Sequence, residues 1–156
     1  MKSKDKNNIT DHLNEYDFKK LKLKFLDKDE IKIFSTLCQD GIFSVEEIIF
    51  NQTDKIFLAT FSRFCWEIFE KNTKNKIFYR VVSGIRVRNV NKINYINKDN
   101  IDTSKFINLL SVDYDGNEIM LNFSSNVTIK LLVEKMEIFL DDLDMPWPTG
   151  KRPMHE

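Results

Sequence analysis

Histidine and glycine are scarce in this sequence, and their scarcity limits the chemistry it can support. The chain has two histidines, His12 and His155, which lie close to its two ends, and four scattered glycines. A histidine acid or base within the main part of the chain is therefore not available, and no glycine-rich phosphate-binding loop can form. No serine stands in the G-x-S-x-G pattern of many hydrolases. We expect a non-enzymatic protein with no catalytic residue and no cofactor.

Cysteines and long apolar runs are also few. Cys38 and Cys65 have neither the spacing of a metal site nor the number needed for a disulfide framework, so we expect reduced, structural thiols. The first twenty residues contain no apolar segment of a secretory signal. The longest nearly apolar runs, such as residues 56–61, fall far short of the ~18 residues that a membrane helix needs. We expect a cytoplasmic protein without a membrane partner.

Neither sign of charge dominates, because 24 lysines and arginines balance 24 aspartates and glutamates. No overall field therefore attracts nucleic acid, and such binding would need a local patch. The length of 156 residues suits one domain, and the three prolines all lie in the last eleven residues. We expect a disordered arm over residues 1–16, a single domain over 17–145 and an extended tail over 146–156.

A three-stranded β-meander is the clearest pattern in the chain. Asp115-Gly116 is typical of a two-residue hairpin turn, and a second turn falls at residues 124–126. Because a slip of one residue would turn every apolar side chain toward water, the register is well specified. The predicted apolar pairs are Val112 with Ile119, Leu110 with Leu121, Phe123 with Val127, Leu121 with Ile129, and Ile119 with Leu131. After Val133 the apolar spacing becomes helical, which predicts a closing helix carrying Met136, Phe139, Leu140 and Leu143.

The earlier part of the chain predicts one helix and several strands. Asp27 and Glu30 have the spacing of a capping box, so a helix should follow the first strand and end at Gly41. Its buried face should hold Ile31, Phe34 and Cys38. Residues 42–50 and 56–66 form a second predicted hairpin around a turn at 51–54. Residues 77–96 predict one or two strands, broken near Ser83-Gly84 and with a bulge between Asn89 and Ile93.

These elements together predict an α+β fold. We expect a strongly bent antiparallel sheet or partial barrel of about six or seven strands, with a helix after strand 1 and a short C-terminal helix. The nearest architecture is a pleckstrin-homology-like barrel, which is a comparison at the level of the fold alone.

Five arginines stand out among nineteen lysines. Where lysine is the common cation, an arginine is favoured at positions that need its planar fork of donors. Arg80, Arg86 and Arg88 could form a clamp for phosphate or carboxylate, or else an exposed strand face whose arginines pair with glutamates. The candidate binding residues include the other two arginines and the aromatic and histidine residues of the tail: Arg63, Arg80, Arg86, Arg88, Trp147, Arg152 and His155.

Other conspicuous side chains have simpler interpretations. Phe64 and Trp66 should share a strand face and pack in the core, with Arg63 opposite. Asp141, Asp142 and Asp144 could bind a metal, but a run of charges at a helix end usually faces solvent, and we expect no metal site. Trp147 could anchor the tail to its own domain or belong to a partner site.

Several short motifs occur in a fixed order along the chain. They are LKLKFLDKDE from Leu21, CQDG after the first helix, RFCWE from Arg63, LLSV from Leu109, VTIKLLVEKMEIFLDDL, and W-x-T-x-x-R-P-x-H from Trp147 to His155. In these motifs the chain resembles an uncharacterised alphaproteobacterial family, domain of unknown function 2948, although Phe61-Ser62 stands where a Leu-Asn-like pair is expected. The resemblance implies a bacterial cytoplasmic protein and gives weight to the tail residues Trp147, Arg152 and His155, but it brings no activity, cofactor or catalytic residue.

These observations favour a cytoplasmic binding module for a protein or peptide partner, acting through an exposed sheet edge or the arginine face. The alternative is binding of nucleic acid or a phosphate ligand through the same arginines, which would show a steep salt dependence. An enzyme not visible in the motifs is the third alternative, and it would require a pocket with two converging carboxylates.

Overall fold

The computed structural model describes residues 18–71, 77–150 and 153. Two α-helices are present in these residues, α1 (Ile31–Cys38) and α2 (Trp66–Lys71). The strands are β1 (Lys22–Phe25), β2 (Ile42–Asn51), β3 (Ile56–Phe64), β4 (Phe78–Val87), β5 (Val90–Ile96), β6 (Phe106–Tyr114), β7 (Glu118–Phe123), β8 (Thr128–Val133), β9 (Ile138–Asp142) and β10 (Trp147–Thr149). No helix in this part of the chain is both long and apolar enough to cross a membrane.

The predicted first helix is confirmed, together with its cap. Asp27 Oδ1 accepts a hydrogen bond from the backbone N–H of Glu30 at 3.0 Å, and Glu30 Oε1 accepts one from the N–H of Leu26 at 2.9 Å. These bonds satisfy orphan donors at the start of a 3₁₀ turn that leads into α1. The helix buries the predicted apolar face, which consists of Ile31, Phe34 and Cys38. Gly41 follows it, where a Cβ would lie 2.6 Å from the Phe61 ring.

The strands form one antiparallel sheet that does not close. The order is β1-β9-β4-β3-β2 in one half and β6-β7-β8-β5 in the other, and β10 pairs with the start of β4. The first residues of β2 join the two halves, because Ile42 and Phe43 pair with both β3 and β6. The predicted antiparallel sheet is therefore confirmed, but the count of six or seven strands was too low. The pleckstrin-homology-like architecture stays a prediction.

The predicted closing helix is wrong, because residues 138–142 form the strand β9 between β1 and β4. Met136, Ile138, Leu140 and Asp142 alternate into the interior, whereas Phe139 and Asp141 face outward. The apolar spacing looked helical because the last inward position carries a carboxylate. The alternation typical of a strand was therefore hard to recognise in the sequence, because one of the inward residues, Asp142, is charged.

The meander has the predicted register on one side and a different one on the other. β7 and β8 pair as predicted, with Ile119 opposite Leu131 and Leu121 opposite Ile129. β6 and β7 are shifted by two residues, because Asp115 pairs with Glu118 and the turn is centred on Gly116 and Asn117. Val112 is thus opposite Leu121, and Leu110, predicted to be buried, occupies a bulge and is 46% exposed. The bulge predicted near Asn89 is confirmed between Val90 and Lys92.

Two apolar clusters are buried in the described part of the protein. The larger one combines the inner faces of both halves with the buried face of α1. The smaller one contains Phe18, Cys65, Ile68, Tyr79 and Val81 and lies under α2. Because β3 ends at Phe64 and α2 begins at Trp66, the second predicted hairpin strand is two residues too long. The strand break predicted near Ser83-Gly84 is also wrong, since β4 is continuous.

Candidate functional site

Arg63 lies in the interior of the protein, between the two apolar clusters. It continues the inward face of β3 after Phe57, Ala59 and Phe61, and its side chain has no exposed surface. Its Nε and Nη2 donate to the two carboxylate oxygens of Asp142 at 3.1 and 3.0 Å. Its Nη1 and Nη2 donate to the two oxygens of Glu67 at 2.9 Å each. The guanidinium therefore connects β3, β9 and α2.

The partners of Asp142 complete this buried polar layer, which separates the larger apolar cluster from the smaller one. Ser83 Oγ donates to Oδ1 at 2.6 Å, and the backbone N–H of Leu21 donates to Oδ2 at 2.8 Å. Burial by itself would lower the pKa of Arg63, but the hydrogen bonds and charges of Glu67 and Asp142 outweigh it and raise that pKa. Both charges of the buried pair are thus hydrogen-bonded, as their removal from water requires.

The remaining described arginines do not converge. Arg80 is half-buried and donates to the backbone carbonyls of Asp40 and Ser62 at 3.0 to 3.3 Å, and burial lowers its pKa. Arg88 Nη1 donates to Glu137 Oε1 at 3.0 Å. Arg86 is exposed, with its guanidinium carbon 4.2 Å from the centre of the Phe139 ring. Because Arg80 and Arg86 lie six residues apart on one strand, their backbones are separated by roughly 20 Å.

The described part of the tail joins the sheet as β10. Trp147 pairs with Arg80 as the first residue of β10, and its side chain is 39% exposed. Arg152 and His155, the other two candidates in the tail, lie outside the described residues, as does the predicted N-terminal arm of residues 1–16.

A groove of about 560 Å³ crosses the solvent-facing side of four adjacent strands. We call it the outer groove. Its floor follows neighbouring positions on three strands, Asp141 on β9, Gly84 on β4 and Thr60 on β3, and it ends at Glu47 on β2, whose Oε2 accepts from Thr60 at 2.8 Å. The residues lining the outer groove are Glu46, Glu47, Ile49, Leu58, Ala59, Thr60, Gly84, Ile85, Arg86, Asp141 and Leu143.

Gly84 opens the middle of the outer groove. It is an interior residue of β4, and a Cβ placed on it would be in ordinary van der Waals contact with Leu143 Cδ1 at 3.5 Å. Neither crowding nor a left-handed backbone therefore requires glycine here. A glycine inside a strand often marks a place where another chain or a ligand approaches closely. Gly84 lines the groove between Leu58 and Leu143, and the Leu143 side chain lies within contact distance of the place that a Cβ would take.

The walls of the outer groove are apolar and its ends are acidic. Ile49, Leu58 and Leu143 expose 55%, 39% and 52% of their surface. The side-chain hydrogen bond from Lys105 at 2.8 Å lowers the pKa of Glu46, so this carboxylate is ionised at neutral pH. No group of three or more His, Cys, Asp or Glu side chains in residues 18–71 and 77–150 could hold a metal ion.

Sequence reasoning missed this groove because its lining comes from four separated segments. The one local signal was Gly84 within a strand whose other residues are aromatic, β-branched, arginine or serine. Of the five predicted binding residues that the structure describes, Arg86 alone lines the groove.

Comparison with known proteins adds a family and no activity. No curated protein and no solved structure match the chain. A family model described as "Protein of unknown function (DUF2948)" matches residues 21–155. This match confirms the resemblance seen in the sequence motifs, and the chain therefore belongs to the DUF2948 family.

Proposed function

We propose that the domain is a non-enzymatic cytoplasmic module that binds a protein or peptide partner in the outer groove. The observation that carries the proposal is the groove itself, in which Gly84 has no side chain between exposed apolar walls although a Cβ would fit there. Exposed apolar surface bordered by charged residues is typical of protein interaction sites. Leu58 and Leu143 would supply apolar contacts, and the charged ends would orient the partner.

The charges of the groove favour a protein partner over nucleic acid. Among the described residues, the lining contributes three carboxylates, from Glu46, Glu47 and Asp141, and one guanidinium, from Arg86. A phosphate backbone would be repelled by this set. Two of the three arginines predicted to form a phosphate clamp are bonded elsewhere, since Arg80 donates to backbone carbonyls and Arg88 is paired with Glu137.

The arrangement of the carboxylates supports binding rather than catalysis. Asp141 and Glu47 lie at opposite ends of the groove, and their backbones are three strand spacings, or about 14 Å, apart. Acid and base pairs act together when both reach the same reacting bond. Here Thr60 and Gly84 lie between the two carboxylates.

Site-specific photo-crosslinking in the cells that make the protein tests the proposal. A photoreactive residue would replace Leu58 in the groove or, as a matched control, Leu132 on the outward side of β8, which is also 39% exposed. We expect a defined protein adduct from position 58, none from position 132, and loss of the adduct when Gly84→Ile fills the floor. Circular dichroism and thermal unfolding would establish that the Gly84→Ile protein is folded.

Three outcomes would contradict this function. Equal labelling from both positions, or no adduct from position 58, would show that the groove is not a partner site. An adduct that disappears on nuclease treatment would indicate nucleic acid as the partner.

A further inference from the structure

We propose that the outer groove accepts an amphipathic α-helix whose apolar stripe is flanked by basic side chains. This inference rests on the proposed function and specifies the chemistry of the partner segment. It follows from the hydrogen bonding of the strands beneath the groove and from the charges at its ends.

The strands that form the floor have little hydrogen-bonding capacity left for a partner. β3 is paired with β2 and β4, and β4 is paired with β3 and β9. A segment lying across this face therefore gains few main-chain bonds from the sheet, unlike a strand added at an edge. An α-helix satisfies its own backbone groups, and covering a sheet face with a helix is a standard way to bury apolar side chains.

The apolar contacts suit one stripe of such a helix. Leu58 and Leu143 rise on either side of Gly84, and Ile49 extends the Leu58 wall onto β2. Side chains three and four positions apart on a helix lie on one face, so two or three of them could enter this space together.

The charges at the groove ends favour basic flanks. Glu46 and Glu47 lie at the β2 end and Asp141 at the β9 end, against the single guanidinium of Arg86. Lys105 is paired with Glu46, but both side chains are more than half exposed, and such surface pairs are weak enough to be exchanged. Lys22 is the strand neighbour of Asp141. At 1.5 Å per residue, the ~14 Å between the two ends corresponds to basic residues about seven to eleven positions apart.

A displayed library of designed helices tests the inference. Each helix would carry leucines at positions i, i+3, i+4 and i+7, with Lys, Glu or Gln at the flanking positions, and would be selected on the immobilised full-length protein. We expect lysine to be enriched at both flanks. The best helix should bind the Glu47→Lys/Asp141→Asn protein at least tenfold more weakly and should lose binding to Gly84→Ile. Glu134→Lys, which reverses a carboxylate on the β8–β9 connection, should leave its affinity unchanged.

The outcomes separate this inference from the proposed function. If position 58 gives a groove-dependent protein adduct but the helices show no preference for lysine, or do not bind, the basic helix is overturned and the partner site stands. If neither the adduct nor any helix depends on Gly84, both are overturned. Binding that is equally weakened by Glu134→Lys would also overturn the charge argument.

Discussion

At the scale of single residues, Arg63 shows why one arginine remains in a lysine-rich chain. Its guanidinium makes two hydrogen bonds to Glu67, two to Asp142 and one to Ser83. Lysine has three donors on one atom and no planar fork, so it could not serve two carboxylates in this way. The sequence pattern suggested a special position for this arginine, but not that its partners were carboxylates inside the protein.

Removing either partner of the buried pair should strongly destabilise the fold. We expect Arg63→Met and Asp142→Leu each to lower the free energy of unfolding by ~3–5 kcal/mol, because each leaves a buried charge without its partner. The double variant should lose much less than the sum of the two single losses. Urea denaturation of all four proteins measures this coupling, with Glu67→Gln as a milder control because Glu67 is partly exposed. Strictly additive losses would contradict the pairing.

A second residue-scale prediction concerns Asp115 in the β6–β7 turn. Hydrogen bonds from the backbone N–H groups of Glu118 and Asn117, at 2.7 and 2.9 Å, lower the pKa of this carboxyl. A lowered folded-state pKa stabilises the protein above the unfolded pKa, and this stabilisation is lost as the pH falls through the folded value.

The stability difference between wild type and Asp115→Asn should therefore be largest above about pH 5 and should shrink as the pH falls below about 4. Denaturation at several pH values measures it, and Asp113→Asn on the neighbouring strand provides a comparison. A difference that does not change with pH would show that the charge of Asp115 is not what stabilises the turn.

At the scale of elements, the sequence predicted helices and strand pairs correctly where the interacting residues are close together in the chain. The capping-box spacing of Asp27 and Glu30 predicted the start of the first helix. The short turn at 124–126 predicted the β7–β8 register. The β6–β7 register failed because moving the turn centre by one residue moves every pair by two. β9 was missed because the inward position of Asp142 depends on Arg63, which lies 79 positions earlier in the chain.

Neighbouring leucines on β6 provide a test of the observed bulge. Leu109 is fully buried, whereas Leu110 is 46% exposed. We expect Leu109→Ala to cost ~2–5 kcal/mol of unfolding free energy and Leu110→Ala to cost less than about 1 kcal/mol. Chemical denaturation of both variants decides between the two registers. A larger loss for Leu110→Ala would support the register predicted from the sequence and contradict the bulge.

At the scale of the whole molecule, the outer groove could not be predicted because no single segment contains it. Residues from β2, β3, β4 and β9 meet there through the strand order of the sheet. Sequence patterns describe one strand at a time. They identified Arg86 as a candidate and Ser83-Gly84 as a strand break, but they could not place Arg86 and Gly84 beside Glu47 and Leu143. The family match does not supply the missing step, because its members are grouped without a known activity.

Gly84 and Gly41 should respond to substitution in opposite ways. Gly84→Ala should raise the free energy of unfolding by ~0.5–1 kcal/mol, because glycine weakens a strand and a Cβ fits at this position. Gly41→Ala should destabilise the protein, since its Cβ would lie 2.6 Å from the Phe61 ring. Thermal unfolding of both proteins measures this contrast. Loss of stability in Gly84→Ala would mean that the open floor is a structural requirement rather than a binding feature.

The position of β9 between β1 and β4 has a consequence for biosynthesis. On the ribosome, β1 is made before β2 to β8 but has no neighbouring strand in the sheet until residues 138–142 have been translated. Until then Arg63 also lacks Asp142, so its guanidinium stays hydrated. The β4 edge that later pairs with β9 is unpaired over the same period. Unpaired edges of this kind invite contacts between nascent chains. The native sheet can therefore be completed only after β9 has been synthesised.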